Sequence, residues 1–169
     1  MKTGTTMNAS THSKNSTILP LVTALALSVM TASASQNLPF RLGDEGTITF
    51  TSQSTATTAG TGNATHMGRI RSDGNLTIVG QPSCNGNEVG FAAEMQDTFT
   101  AANGDKLMTA ITMQLCPIAP GIYHGVGTYV VTGGTGRFAN ATGSGVFDGT
   151  GNFNTGTIIC ALTGTISLH

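Results

Sequence analysis

Leu107, Thr109, Ile111, Met113 and Leu115 alternate with Met108, Ala110, Thr112, Gln114 and Cys116. A period of two puts each set on its own face of a pleated strand, and it cannot be wound into a helix with one apolar stripe. Val89, Phe91, Ala93 and Met95 repeat the pattern against Gly90, Ala92, Glu94 and Gln96. Between the two runs lies Ala101-Ala102-Asn103-Gly104-Asp105, whose Asn-Gly pair suits the left-handed conformations of a tight hairpin. Further strands are expected over 45–52, 63–71, 75–80, 122–132, 143–151 and 155–168, with a turn at Asn152 and Asn154. Residues 52–62 are low in bulk and read as a mobile loop. No window sustains a 3.6-residue period over three turns, so little helix is expected.

Thr132-Gly133-Gly134-Thr135-Gly136-Arg137-Phe138-Ala139-Asn140-Ala141-Thr142-Gly143 carries one large apolar residue among four glycines. Gly133, Gly134 and Gly136 allow a turn that residues with a Cβ resist, and Phe138 reads as the plug that pins this turn to a core. A phosphate loop would open a helix and carry Gly-Lys-Ser/Thr, and neither is present. About eight strands separated by glycine-rich turns define an all-β sandwich or closed barrel. Gly125, Gly127, Gly145, Gly156 and Ala161 recur within the expected strands, which favours the sharp bends of an antiparallel barrel.

Residues 1–34 read as a secretory leader, followed by a single domain over 35–169. A polar lead holds Lys2 and Lys14, Ile18 to Met30 is almost wholly apolar, and Ala32-Ser33-Ala34 forms a small-x-small site. The apolar run is short for a bilayer span, so no membrane association is expected after cleavage and the protein is expected to be secreted or periplasmic. Residues 35–169 hold five basic against eight acidic residues, a net charge of −3. Charged residues are 9% of the whole chain, against about 25% in typical domains. No basic stripe is apparent, which argues against a nucleic-acid partner. Export makes a disulfide feasible. Folding the 89–116 hairpin at Asn103-Gly104 brings Cys84 and Cys116 toward its open end, with Cys160 left free and buried on a strand; three reduced thiols are the competing reading. No Cys-x-x-Cys or His-Cys cluster suggests zinc, and Asp148-Gly-Thr-Gly-Asn152 lacks the acid density of an EF-hand, so no metal is expected.

Thr132 to Ala139 followed by Ala141-Thr142-Gly143 resembles the Gly-Gly-Thr-Gly-x-Phe hairpin of the allene oxide cyclase and dirigent barrels. Ala64-Thr65-His66-Met67-Gly68-Arg69 and Ala101 to Leu107 are similar to the bacterial secreted branch of that group. The resemblance extends over most of 63–168. It implies an eight-stranded antiparallel barrel with an apolar interior that cyclises or steers small apolar molecules without a cofactor. It carries over no catalytic residue, because the shared motif is a structural turn.

Glu94 stands within an apolar strand run and becomes a candidate acid or base if it faces the interior. The competing reading has Glu94 in water and Asp97 starting the turn. His66 and Tyr129 are the other candidates for proton chemistry. His66 and Arg69 fall on opposite faces of one expected strand, while Arg69 and Arg71 share a face suited to an anion; the reading preferred for them is that of solvated edge charges that deter strand addition. Phe91, Met113 and Phe147 are candidates for lining a ligand cavity, with Tyr123, Tyr129, Phe99 and Phe153 beside them; core packing is the commoner role of such residues. The function expected is binding, and directed cyclisation or coupling, of a small apolar molecule. The alternatives are a non-catalytic exported surface module and a self-associating homo-oligomer.

Overall fold

The structure is a computed structural model that describes residues 1, 3, 4, 36–84 and 88–168. The expected leader over 1–34 therefore lies, but for three residues, outside the described residues. The strands are β1 (Asn37–Phe50), β2 (Thr55–Ala64), β3 (Gly68–Gly80), the two-residue β4 (Ser83–Cys84) and β5 (Glu88–Val89), β6 (Phe91–Ala101), β7 (Lys106–Ala119), β8 (Ile122–Gly134), β9 (Thr142–Asn152) and β10 (Thr157–Ser167). Eight of them close an antiparallel barrel in the order β1-β10-β9-β8-β7-β6-β3-β2, and β4 and β5 pair separately. Closure leaves the barrel no free edge. Strand alternation then sends one face of every strand inward, where Phe40, Leu42, Ile70, Met95, Phe99, Leu107, Ile111, Phe147, Leu162 and Ile166 form the buried core.

Two expected boundaries are corrected. Of the expected loop 52–62, residues 55–62 are instead strand: they belong to β2, which is paired with β1 and β3 along its length. This strand has no large side chain, so it shows no period of its own and is held by its neighbours' backbones. The expected strands 63–71 and 75–80 also do not exist as such. Thr65, His66 and Met67 form the β2–β3 turn, with His66 at φ 64°, and β3 continues unbroken through Asp73-Gly74. Both of its edges are hydrogen-bonded there, with Gly74 opposite Thr58 and Asp97.

The barrel has two unlike ends. At one end lie the turns at 65–67 and 102–105 and the 135–141 loop. That loop winds through a 3-10 turn, Gly136–Phe138, with Gly133 and Gly136 at positive φ (142° and 57°) and Phe138 wholly buried. Phe138 is the plug that the sequence announced. The other end carries the turns at 51–54, 119–121 and 153–156. There the Asn152 side-chain oxygen accepts from the Asn154 and Thr155 amides at 3.0 and 3.3 Å. The Cys84–Cys116 disulfide forms, with a Cα–Cα distance of 5.6 Å, and fastens the short β4 to β7. Cys160 is free and half-buried on β10.

Candidate functional site

Midway along the barrel the inward apolar rows are interrupted by a belt of polar side chains. β1 contributes Asp44 between Leu42 and Ile48, and β6 contributes Asp97 between Met95 and Phe99. Ser72 on β3 lies between them and donates to Asp44 Oδ2 at 2.6 Å. Cys160 on β10 is opposite Asp44 in register, and Thr109 on β7 is opposite Asp97. Glycine makes room for this group. A Cβ at Gly60 would stand 2.7 Å from Ser72 Oγ and 3.0 Å from Asp44 Oδ2, and one at Gly74 would collide with the Asp97 carboxyl. The two glycines are thus the spaces into which the carboxyls fit.

Burial changes the chemistry of the belt. Asp97 is buried, and its pKa rises from 3.8 to about 7: desolvation drives the rise, the Asp44 charge adds to it, and the Thr58 hydroxyl opposes it. Desolvation also raises the Asp44 carboxyl, against the hydrogen bond from Ser72. The Cys160 thiol is pushed up by burial and then by the charges of Asp44 and Asp97, so it stays protonated and is no nucleophile. With the charge of Asp44 adding to its burial, Asp97 holds a proton toward neutrality. The two carboxyls together can both donate and accept a proton.

An apolar cavity of about 40 Å³ adjoins the belt on the side away from Phe138. Thr58 and Cys160 border it next to the carboxyls, and Ile48, Leu76, Met95, Met113, Leu115, Phe147, Phe153 and Ile158 complete its wall. At the barrel end above it, Phe153 stacks on Tyr123 at 4.8 Å and meets Phe50 edge-on at 5.0 Å, while Tyr123 packs on Phe91 at 5.4 Å. The space matches about one water molecule, so a larger guest requires side chains to move. Met95 and Met113 are the adaptable members of the wall.

The sequence candidates distribute unevenly over this site. Met113 and Phe147 line the cavity, and Phe91 belongs to the aromatic cover. Glu94 does not reach the interior: it is exposed on the outer face of β6 opposite Thr77 and Thr112. Asp97 does not start a turn; it stands in mid-strand and faces inward. His66 sits exposed in a turn, with Nε2 3.0 Å from the Pro39 carbonyl oxygen, away from the belt. Tyr129 is buried against Phe40 with ring centroids 6.2 Å apart, and burial raises its pKa. Its hydroxyl and that of Thr109 have no hydrogen-bond partner among the described residues. Asp44 was not singled out in the sequence, and Asp97 was read there as the start of a turn. The signal was their parity with Phe40, Leu42 and Ile48 on one strand and with Ala93, Met95 and Phe99 on the other.

Among the described residues no three His, Cys, Asp or Glu side chains come together to hold a metal, and no helix is long and apolar enough to cross a membrane. The fold and site define a closed eight-stranded antiparallel barrel with a buried Asp97 and a half-buried Asp44 beside an apolar cavity. No protein-family model matches the chain, and searches of curated proteins and of solved structures find no match.

Proposed function

We propose that the protein is an exported barrel of the allene oxide cyclase and dirigent kind that takes a small apolar molecule at the Phe153 end and presents the Asp44–Asp97 pair to it. The observation that carries this reading is the placement of two carboxyls inside an apolar barrel, next to a cavity walled by flexible methionines. Perturbed acids beside a cleft are where proton chemistry is found. Asp97 gives its proton, relayed by Thr58, to the bound molecule, and the pair takes one back as the molecule rearranges. The exchange leaves the protein unchanged and consumes no cofactor. The apolar wall contributes by holding one conformer and excluding water. Export is supported by the leader pattern before residue 35 and by the disulfide.

A second reading, a non-catalytic exported module, is favoured by the small size of the cavity. One experiment separates the two. An uncharged apolar fluorescent probe is titrated into the wild type and into Gly125→Val, with competition by terpenoids, fatty acids and polyketide-like compounds. A Cβ at Gly125 points at the Leu115 side chain (2.7 Å) and the Phe147 ring (3.2 Å), inside the cavity wall. Saturable binding at one site per chain, lost in Gly125→Val and displaced by one compound class, is expected. Absence of saturable binding in folded wild type overturns the small-molecule reading in favour of the second.

A further inference from the structure

All five Lys and Arg among the described residues lie toward the plugged end of the barrel: Arg41 on β1, Arg69 and Arg71 on β3, Lys106 at the start of β7, and Arg137 in the 135–141 loop. Of the eight acidic residues, Glu88, Glu94 and Asp148 lie in the opposite half, Asp44, Glu45, Asp73 and Asp97 lie nearer the middle, and Asp105 stands among the basic residues. The basic residues are thus gathered at one end, whereas the acids are spread along the barrel. Arg137 is engaged, 3.7 Å from Asp105 and over the Phe138 ring at 5.0 Å. Arg41, Arg69, Arg71 and Lys106 have no ion-pair partner among the described residues.

The arginines of β3 cannot be edge charges, as the sequence suggested, because β3 is paired on both sides, with β2 and β6. They stand on the outer face instead. The register sets Glu45, Thr61, Arg71, Thr100 and Lys106 in one row across five strands, and Asn63 beside Arg69 in the next. Strand spacing separates Arg71 from Lys106 by about 10 Å, and the pleat separates Arg69 from Arg71 by about 7 Å. A shallow groove of about 580 Å³ runs over this face, lined by Glu45, Thr61, Asn63, Arg69, Arg71 and Thr100, with Lys106 beside Thr100 just outside it.

We propose that this groove binds a linear anionic polysaccharide, with Arg69, Arg71 and Lys106 meeting its sulfate or carboxylate groups and Thr61, Asn63 and Thr100 meeting its hydroxyls. Spaced cations interleaved with hydroxyl and amide groups are complementary to a chain that alternates charge and hydroxyl. No aromatic side chain lines the groove, so bases of single-stranded nucleic acid have no stacking platform. No large apolar side chain projects from it to enter a bilayer. The site is independent of the interior cavity and stands whether or not a small molecule binds there.

The test uses the full chain and immobilised dextran sulfate at about 50 mM salt, with release followed as salt rises through the screening range. Retention that falls steeply with salt is expected, together with about tenfold weaker binding for the double substitution Arg69→Gln with Arg71→Gln, on the scale of two exposed charge contacts. Both positions are exposed, and a thermal melt matching the wild type confirms the fold of the variant. The proposal is overturned if the double variant binds like the wild type, if nothing is retained, or if phosphatidylglycerol vesicles or single-stranded DNA bind as tightly as dextran sulfate.

Discussion

On one side of the carboxyl belt Phe40, Phe99, Leu107, Phe138 and Ile166 are each at most 2% exposed. On the other side Phe91, Tyr123, Phe153 and Ile158 are only partly buried, and the wall between them includes two methionines. The residue types are similar, but the ends are finished differently. The plugged half is closed by a loop whose one large apolar side chain turns back into the barrel. The open half is covered by aromatics borrowed from four separate places, Phe50, Phe91, Tyr123 and Phe153. A plug fixes packing, whereas a cover of mutually stacked rings can part. The tightest packing is therefore at one end and the cavity of the proposed function at the other, with the two carboxyls at the junction.

Phe138→Ala removes the plug and is expected to cost about 3–5 kcal/mol in urea unfolding, the range for a wholly buried aromatic. A loss under about 1 kcal/mol would mean that the loop is not what closes this half. Cys84→Ser with Cys116→Ser opens a loop of 32 residues, and a loss of about 3–4 kcal/mol is expected on the chain-entropy account. This change acts on the open half, so it is expected to speed probe uptake as well as to lower the melting temperature.

The belt gives a signed pH dependence. Folding raises the Asp97 pKa from 3.8 to about 7, so the folded state binds this proton more tightly than the unfolded chain. Stability is then greatest in acid, falls as pH climbs from about 4 to about 7 by at most about 1.4 kcal/mol per pH unit, and levels off above that window. Asp97→Asn is expected to flatten this slope, leaving the contribution of Asp44, whose carboxyl is also raised by burial, as followed by thermal unfolding across the same pH range. Phe153→Ala deletes one ring of the cover and is expected to cost only about 1–2 kcal/mol while accelerating probe uptake. Glu94→Gln, on the outer face, is expected to change stability by no more than about 0.5 kcal/mol and to leave probe binding untouched.

The two halves were not equally legible in the sequence. The 132–143 run announced the plug, because glycines flanking a lone Phe138 admit few other readings. The 89–116 hairpin showed its alternation and the closeness of Cys84 to Cys116. β2 stayed hidden, since a strand of threonine, alanine and glycine has no apolar face and is recognisable only between its partners. Asp97 was in phase with Phe91, Ala93 and Met95, but an aspartate ahead of Asn103-Gly104 also suits a turn, and propensity outweighed parity. The meeting of Asp44 with Asp97 could not be read at all. It depends on barrel closure, on register across β2 and β3, and on the space left by Gly60 and Gly74.

Methyl-resolved NMR of methionine-labelled protein, titrated with an uncharged apolar probe, tests the contrast between the halves most directly. Met95 and Met113 line the cavity, whereas Met67 is buried at the plugged end. The account predicts saturable shifts of the Met95 and Met113 methyls with Met67 unmoved. Equal shifts of Met67, or no shift of Met95 and Met113 at saturating probe, would contradict it.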